Sequence, residues 1–346
     1  EQLDVEIKGI IAQNRLCDQL TEIGHDQPVR VVLDKTPFYA EAGGQVGDKG
    51  DLVGVGFALR VSDTRRDGDL IGHIGHLVSG QIRAGATATA RVDANRRRAV
   101  RRAHSATHIL HHALQRNLGA HAQQQGSKVD NDWLRFDFTN MTPVSESDLI
   151  QIESDVKQRI SDADSVDWDV LPLAEAREKG AMMLFGEKYP DPVRMVSMGQ
   201  FSRELCGGTH VGNTREIEEF EIVSEESIST GTRRVVALTG DKAREHARQT
   251  EDTLRATAET LNVDPHEVPE TVRALMHTLR ELRKQLTAGT AVAADKPKDA
   301  SETPDVTSYP RLRAALRETA QILNVAPFDV PERVNALLGE VEHLRQ

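Results

Sequence analysis

The sequence contains few cysteines, few aromatic residues and no long apolar run, and each shortage excludes a class of protein. Cys17 and Cys206 are the two cysteines among 346 residues. They cannot form a disulfide framework, so a reducing, cytoplasmic setting is expected. Aromatic residues make up 4% of the chain, which predicts a core built mainly from aliphatic side chains. No apolar run approaches the roughly 18 residues of a membrane-spanning helix, so no membrane contact is expected.

The start of the chain and its glycine-rich segment also lack familiar signals. The chain begins Glu1-Gln2-Leu3-Asp4, without an initiator methionine or a signal-peptide pattern, which predicts a fragment or a processed chain. Residues 36–50 are rich in glycine but contain neither a phosphate loop nor a dinucleotide-binding motif. Within them, Gly43 and Gly44 are expected to let the backbone approach a ligand or another strand closely.

Two short segments each carry a pair of metal-binding side chains four residues apart. His104 and His108 lie in a predicted helix, Ala94–Leu118, which has no internal glycine or proline and ends at Gly119. Residues i and i+4 share one face of a helix, so both imidazoles can reach one ion. Cys206 and His210 instead flank two glycines, which predicts a tight loop. Three imidazoles and a thiolate suit tetrahedral Zn²⁺.

Basic charge is concentrated just before the first pair. The net charge of −11 argues against nucleic acid, but six arginines lie between residues 91 and 102. Such a cluster beside a candidate site predicts a local phosphate contact, and a solvated helix face is the alternative. The arginines assigned to this contact are Arg97, Arg98, Arg101 and Arg102.

The order of patterns predicts an α+β fold with a helical tail. Residues 1–22 are predicted to form an N-terminal helix, and residues 23–93 a small β-rich, barrel-like domain. Residues 94–240 are predicted to form a zinc-binding α+β domain. Residues 241–288 and 310–346 are expected to form two helical hairpins joined by a flexible linker at 289–309.

The two hairpins are predicted from an internal repeat. Residues 254–275 recur at 316–337, an offset of 62, with matching leucines, valines and prolines. Each unit has a proline-bearing turn and a proline near the start of its second helix. Homo-oligomerisation through this tail and a simple spacer role both remain open.

Five separated motifs, in order, resemble the editing region of the alanyl-tRNA synthetase family. The resemblance covers roughly residues 1 to 240. The motifs lie at residues 38–48, 104–114, 134–138, 184–189 and 202–211.

The resemblance implies a zinc site and a hydrolytic reaction. It assigns the metal to His104, His108, Cys206 and His210, and it implies hydrolysis of alanine tRNA mischarged with serine or glycine. It also implies catalytic positions near the pocket at Gln124, Thr107 and Arg233, and contacts of the glycine-rich motif, through Gly43 and Gly44, with the substrate tRNA.

The chain also departs from the family's full pattern. The aminoacylation domain, which would use ATP and Mg²⁺, is expected before residue 1, and the family's glycine-rich C-terminal domain is not recognisable after residue 240. An interior or C-terminal piece of a synthetase is therefore expected, and a stand-alone editing protein is the alternative.

Competing interpretations concern the zinc. A zinc protease requires H-E-x-x-H, and Ser105 stands where its glutamate would be. A non-catalytic, zinc-stabilised tRNA-binding module remains open, because four protein ligands are typical of structural zinc. The editing domain of threonyl-tRNA synthetase shares the metal pattern, but the β-rich domain before residue 90 favours the alanyl type. Whether Cys206 stays bound or exchanges with water or substrate is also open, as is the role of zinc.

Overall fold

A computed structural model describes residues 1–21, 28–183, 189–288 and 308–345. The chain divides into two compact units, Glu1–Ala243 and Arg244–Gln346. None of the helices in these described ranges is long and apolar enough to span a membrane.

The first unit begins with an antiparallel barrel. Six strands close a ring in the order β1-β4-β7-β6-β5-β8 and back to β1, while β2 pairs with β1 and β3 with β7. A core of aliphatic side chains and two phenylalanines fills the barrel, as its composition predicts. The strands are β1 (Gln2–Ala12), β2 (Arg15–Cys17), β3 (Gln19–Thr21), β4 (Val29–Leu33), β5 (Gly50–Gly54), β6 (Phe57–Asp67), β7 (Leu70–Arg83) and β8 (Thr87–Val92).

The predicted N-terminal helix at residues 1–22 is wrong, because the described part of this segment forms β1, β2 and β3. Buried Val5 and Ile7 alternate with more exposed neighbours, which is the period of a strand rather than of a helix. Gln13 and Asn14 both have positive φ, which is the geometry of a tight hairpin turn between β1 and β2.

The α+β domain follows directly and confirms the predicted fold class. Helices α1 and α2 pack on each other and on a four-stranded antiparallel sheet ordered β14-β15-β10-β9, while β11, β12 and β13 form a second sheet. The elements are α1 (Ala94–Leu118), β9 (Gln124–Asp130), β10 (Trp133–Thr139), α2 (Glu146–Asp162), β11 (Val166–Leu171), α3 (Leu173–Glu178), β12 (Val193–Met198), β13 (Ser202–Leu205), β14 (Phe220–Ser229) and β15 (Thr232–Thr239).

Local signals in the sequence define helix α1. The Asp93 side chain accepts a hydrogen bond from the Arg96 amide at the start, and Gly119 ends the helix with a φ of 114°. The predicted bounds Ala94–Leu118 are confirmed. Ile109 and Leu110 are fully buried against the sheet side chains Phe136 and Phe138, which fixes the rotation of the helix.

The second unit is helical and contains the predicted repeat. The helices are α4 (Gly240–Leu261), α5 (Val268–Ala288), α6 (Tyr309–Leu323) and α7 (Val330–Arg345), and a short 3₁₀ turn starts at Pro265 and again at Pro327. Asn262 and Asn324 end their helices at φ values of 55° and 52°. The repeated positions therefore have repeated conformations. Residues 289–307 of the predicted linker and 184–188 of one motif lie outside the described residues.

Candidate metal centre

The four predicted ligands converge on one point. His104 and His108 project from α1, while Cys206 and His210 come from the loop after β13, and the four ligand atoms lie within 4.8 Å of one another. The Cys206 Sγ atom is 3.5 Å from Nε2 of His104 and 3.4 Å from Nε2 of His210. A tetrahedral zinc with bonds of about 2.0–2.3 Å has ligands about 3.5 Å apart, so this donor set fits zinc.

Each imidazole is held in place by a hydrogen bond on its far nitrogen. Such bonds fix the tautomer and direct Nε2 toward the metal. The three pairs are His104 Nδ1 with Gln45 Oε1 at 2.6 Å, His108 Nδ1 with Glu204 Oε2 at 2.8 Å, and His210 Nδ1 with Ser105 Oγ at 3.1 Å.

A buried nitrogen at the centre also fits a metal ion. The Nε2 atom of His108 has no hydrogen-bond partner among the described residues. A buried polar atom without a partner costs roughly 1–3 kcal/mol, and a bound metal would remove that cost.

The electrostatic environment of Cys206 and His210 favours the protonation states that bind metals. At His108 burial by itself would lower the pKa, but the charge of Glu204 holds that pKa well above its usual range. Burial by itself would raise the pKa of the Cys206 thiol, but the charge of His104 and hydrogen bonds with His104 and His210 hold that pKa well below its usual range. Burial and the charge of His104 lower the pKa of His210 to about 3. A thiolate and a neutral imidazole are the states that bind zinc.

The loop between Cys206 and His210 has no room for a side chain at its second glycine. A Cβ atom on Gly208 would lie 2.0 Å from Cε1 of His104, whereas a Cβ on Gly207 would meet nothing within 4 Å. The Arg194 guanidinium donates hydrogen bonds of 2.8 Å to the carbonyls of Cys206 and Gly208. The tight loop predicted from the glycines is therefore present.

Gln45 is a buried residue of the site that the sequence patterns do not single out. Its Oε1 atom accepts from the Thr209 amide at 2.9 Å as well as contacting His104, and its Nε2 donates to the Thr209 hydroxyl at 2.9 Å. Gln45 lies 59 residues before His104 in the sequence, so only the fold brings it to the metal ligands. Its position inside the glycine-rich motif is the one available signal.

The glycine-rich segment brings Gln45 to the site by pairing with strand β9. The Val129 amide donates to the Gly44 carbonyl at 2.8 Å, and the Val46 amide donates to the Val129 carbonyl at 3.1 Å. Gly43 and Gly44 have φ values of 57° and 80°, and a Cβ on Gly44 would lie 2.4 Å from the Ser127 carbonyl oxygen. Close approach to another strand therefore explains Gly44.

A cavity of 310 Å³ opens beside the ligands. Its walls include the metal ligand His210, the loop residue Gly208, the arginines Arg101 and Arg194, and the indole of Trp168. A small substrate could therefore lie next to the metal.

The comparisons with known proteins agree with the resemblance. Residues 193–236 match the family model described as "Threonyl and Alanyl tRNA synthetase second additional domain", and residues 1–96 match "tRNA synthetases class II (A)". The alanine–tRNA ligase of Rhodopirellula baltica is 50% identical over 333 residues, which is 93% of this chain and 35% of the relative. That of Halorhodospira halophila is 46% identical over 256 residues, 74% of this chain and 30% of the relative.

The chain belongs to the alanyl-tRNA synthetase family. It spans about a third of the length of these curated relatives.

Two of the catalytic positions implied by the family lie in one row of the four-stranded sheet. Gln124 on β9 and Arg233 on β15 both pair with Phe138 on β10. Arg233 is buried and forms a two-fold hydrogen-bonded ion pair with Glu225, and Gln124 donates to the Ser127 hydroxyl at 3.3 Å. The buried Thr107 hydroxyl donates to the Ala103 carbonyl of its own helix at 2.9 Å. Their catalytic roles stay predictions.

The arginines assigned to phosphate contact separate into two groups. Arg97 is buried against Asp48 and Glu1, and Arg102 is buried against Asp132 with two hydrogen bonds of 2.8 Å. The geometry argues against a tRNA contact for Arg97 and Arg102, because carboxylates inside the protein neutralise both. Of the remaining two, Arg98 is exposed, whereas Arg101 is half-buried, lines the cavity and forms an ion pair with Glu1.

Proposed function

We propose that this chain hydrolyses the ester bond of alanine tRNA mischarged with serine or glycine, at a zinc centre formed by the four converging ligands. The observation that supports this most is the set of three inward-facing imidazoles and a thiolate beside a cavity of 310 Å³. The match of residues 193–236 to a domain shared by threonyl and alanyl tRNA synthetases supports it further.

The overall reaction of the curated relatives belongs to the proposal as well. They are named alanine–tRNA ligases, and we propose attachment of alanine to its tRNA, with ATP and Mg²⁺, for the protein of which these residues are part. A pocket for alanine rejects serine and glycine only weakly, because they differ by a hydroxyl or a methyl group. A second site that hydrolyses the mischarged tRNA would correct these errors.

The protein's contribution to hydrolysis is to hold the ligands and shape the cavity. A bound zinc ion would supply a positive charge and a Lewis acid beside the ester carbonyl. Gln45, Glu204 and Ser105 orient the three imidazoles, and Arg194 fixes the loop carbonyls. The ordered ligands need no rearrangement during the reaction, which is how preorganised charge lowers a barrier.

A non-catalytic tRNA-binding module is the second candidate. It is favoured by the number of ligands, since four protein ligands around zinc are typical of structural sites. The behaviour of Cys206 distinguishes a hydrolytic site from a non-catalytic binding module. Cys206 and His210 are both less buried than His104 and His108, and exchange of Cys206 with water or substrate would favour the hydrolytic site. The thiolate also requires reducing conditions, which supports a cytoplasmic setting.

The two candidates are separated by a deacylation assay on the purified chain. Wild-type protein with one zinc per chain is expected to release serine from seryl-tRNA, while His104→Ala and Cys206→Ala lose this activity. Cys17→Ala serves as the matched control, because Cys17 is a partly buried thiol of the barrel, far from the ligands in sequence. Binding of tRNA without turnover would support the module, and full activity in zinc-free protein would overturn the zinc assignment.

A further inference from the structure

The cavity that begins at the metal ligands ends at a large exposed aromatic side chain. Trp168 lines the cavity together with His210 and Gly208, and 59% of its surface is exposed. An indole offers a large, rigid, flat surface at little entropic cost, and exposed aromatic rings at a cavity are typical of binding sites. Trp168 is neither one of the four ligands nor one of the residues that hydrogen-bond to their rings.

The second sheet fixes the position of the indole relative to the metal. Trp168 on β11 pairs with Val196 on β12, which pairs with Glu204 on β13. Directly opposed residues of antiparallel strands lie on one face, and neighbouring strands are about 4.8 Å apart. The backbone of Trp168 is therefore about 10 Å from that of Glu204, the residue that orients His108. A nucleoside that carries an ester on its ribose has about this length.

Arg194 connects the indole to the metal loop. Its guanidinium carbon lies 5.0 Å from the centre of the indole ring. The same guanidinium donates to the carbonyls of Cys206 and Gly208. The ring orientation is therefore coupled to the loop that carries two of the four ligands. Arg101, whose guanidinium pairs with Glu1, is a second arginine on the wall of the cavity.

We propose that Trp168 is the platform on which the terminal nucleobase of the esterified tRNA stacks, so that the ester reaches the metal centre. This inference rests on the proposed hydrolytic function. The amino acid alone does not account for the cavity, because serine and glycine are small and polar and gain little from an indole. Stacking on aromatic side chains is a general means of holding an unpaired base.

Three variants test the platform through steady-state deacylation of seryl-tRNA by the full chain at matched zinc content. Trp168→Ala is expected to raise KM about tenfold and to leave kcat within about twofold, because stacking contributes to binding rather than to bond breaking. Trp168→Phe keeps a ring and is expected to raise KM by less than about threefold. Val170→Ala is the matched control, since Val170 lies on the same strand and face and is also 59% exposed. An unchanged KM for Trp168→Ala would overturn the platform.

A fluorescence titration tests the same contact without turnover. Trp133→Phe leaves Trp168 as the one remaining tryptophan. Its emission is expected to be quenched saturably by 3′-serylamino-3′-deoxyadenosine, a stable amide, and not by serinamide, which lacks the base. Equal effects of both compounds, or no effect of either, would contradict the platform. If the wild-type chain hydrolyses no seryl-tRNA, the proposed function fails, and this titration still decides whether Trp168 binds the base.

Discussion

The helix that carries His104 and His108 and the loop that carries Cys206 and His210 bring two ligands each to one point by different means. The helix is part of the hydrophobic core, and both of its imidazoles are buried in it. The loop contains two adjacent glycines and is fixed mainly by hydrogen bonds with Arg194 and Gln45. One half of the centre is therefore preorganised by the core, whereas the other is held by a few polar contacts.

Removal of zinc is expected to produce the largest difference in stability between the helix and the loop. With a chelator, backbone amide hydrogen exchange at residues 205–211 should accelerate more than about 100-fold, because a loop with few packed side chains opens locally once the metal is lost. Exchange within residues 100–114 of α1 should change less than about threefold, because the core holds that helix. Site-resolved exchange measurements check both numbers. Equal acceleration in helix and loop would show that the two halves do not differ.

A side chain at Gly208 is expected to weaken zinc binding nearly as much. Gly208→Ala should lower zinc affinity by about 100-fold, because the new Cβ collides with His104 and must displace either that ligand or the loop. Gly207→Ala is the matched control and should stay within about threefold, because its Cβ meets open space. Competition with a chelating dye measures both affinities. Similar losses in the two variants would mean that the close contact at Gly208 does not matter.

Loss of the Gln45 amide tests the support that the glycine-rich segment gives to both halves. Gln45→Ala should lower zinc affinity roughly 10- to 100-fold, because His104 loses its orienting partner and Thr209 loses two hydrogen bonds. Gln45→Glu keeps an acceptor for His104 and should lose less. The same dye competition applies, with the melting temperature of the zinc-free protein as a check on folding. Unchanged zinc affinity in Gln45→Ala would show that the glycine-rich segment does not support the metal centre.

The smallest expected effect is that of removing the Ser105 hydroxyl, which supports His210 in the loop half of the centre. Ser105→Ala removes the partner of His210 Nδ1 and an acceptor for the Val211 amide at 3.2 Å. A neutral hydrogen bond contributes about 1 kcal/mol, so zinc affinity should fall about three- to tenfold. Isothermal titration with zinc measures the change. A loss larger than that of Gln45→Ala would reverse the order of importance proposed for the two supports.

The sequence predicted the features that depend on local patterns. Helix α1 has a capping aspartate, no internal breaker and a terminal glycine, so its bounds could be predicted to the residue. The predicted helix at residues 1–22 was wrong because an alternating pattern was assigned to the helical period. The duplicated turns of the second unit were predictable because the same residues recur at the same spacing.

The parts of the site that sequence alone could not supply are long-range contacts. The ligands His104, His108, Cys206 and His210 were predicted from residue type and spacing. Gln45 and Glu204, which orient two of them, lie inside the motifs at 38–48 and 202–211, but only the folded chain shows that they meet the ligands. The burial of Arg97 and Arg102 against acidic residues was likewise hidden, since a cluster of arginines in sequence does not reveal which of them face inward.

Zinc K-edge X-ray absorption of the full chain measures the ligand set of the metal centre. Four ligands from His104, His108, Cys206 and His210 predict one sulfur at about 2.3 Å and three nitrogens at about 2.0–2.1 Å from the metal. In Cys206→Ala the sulfur contribution should disappear. A stable seryl-tRNA analogue added to wild-type protein shows whether the sulfur stays bound in the presence of substrate. A zinc spectrum without sulfur in the wild-type protein, or one that Cys206→Ala leaves unchanged, would contradict the four-ligand centre.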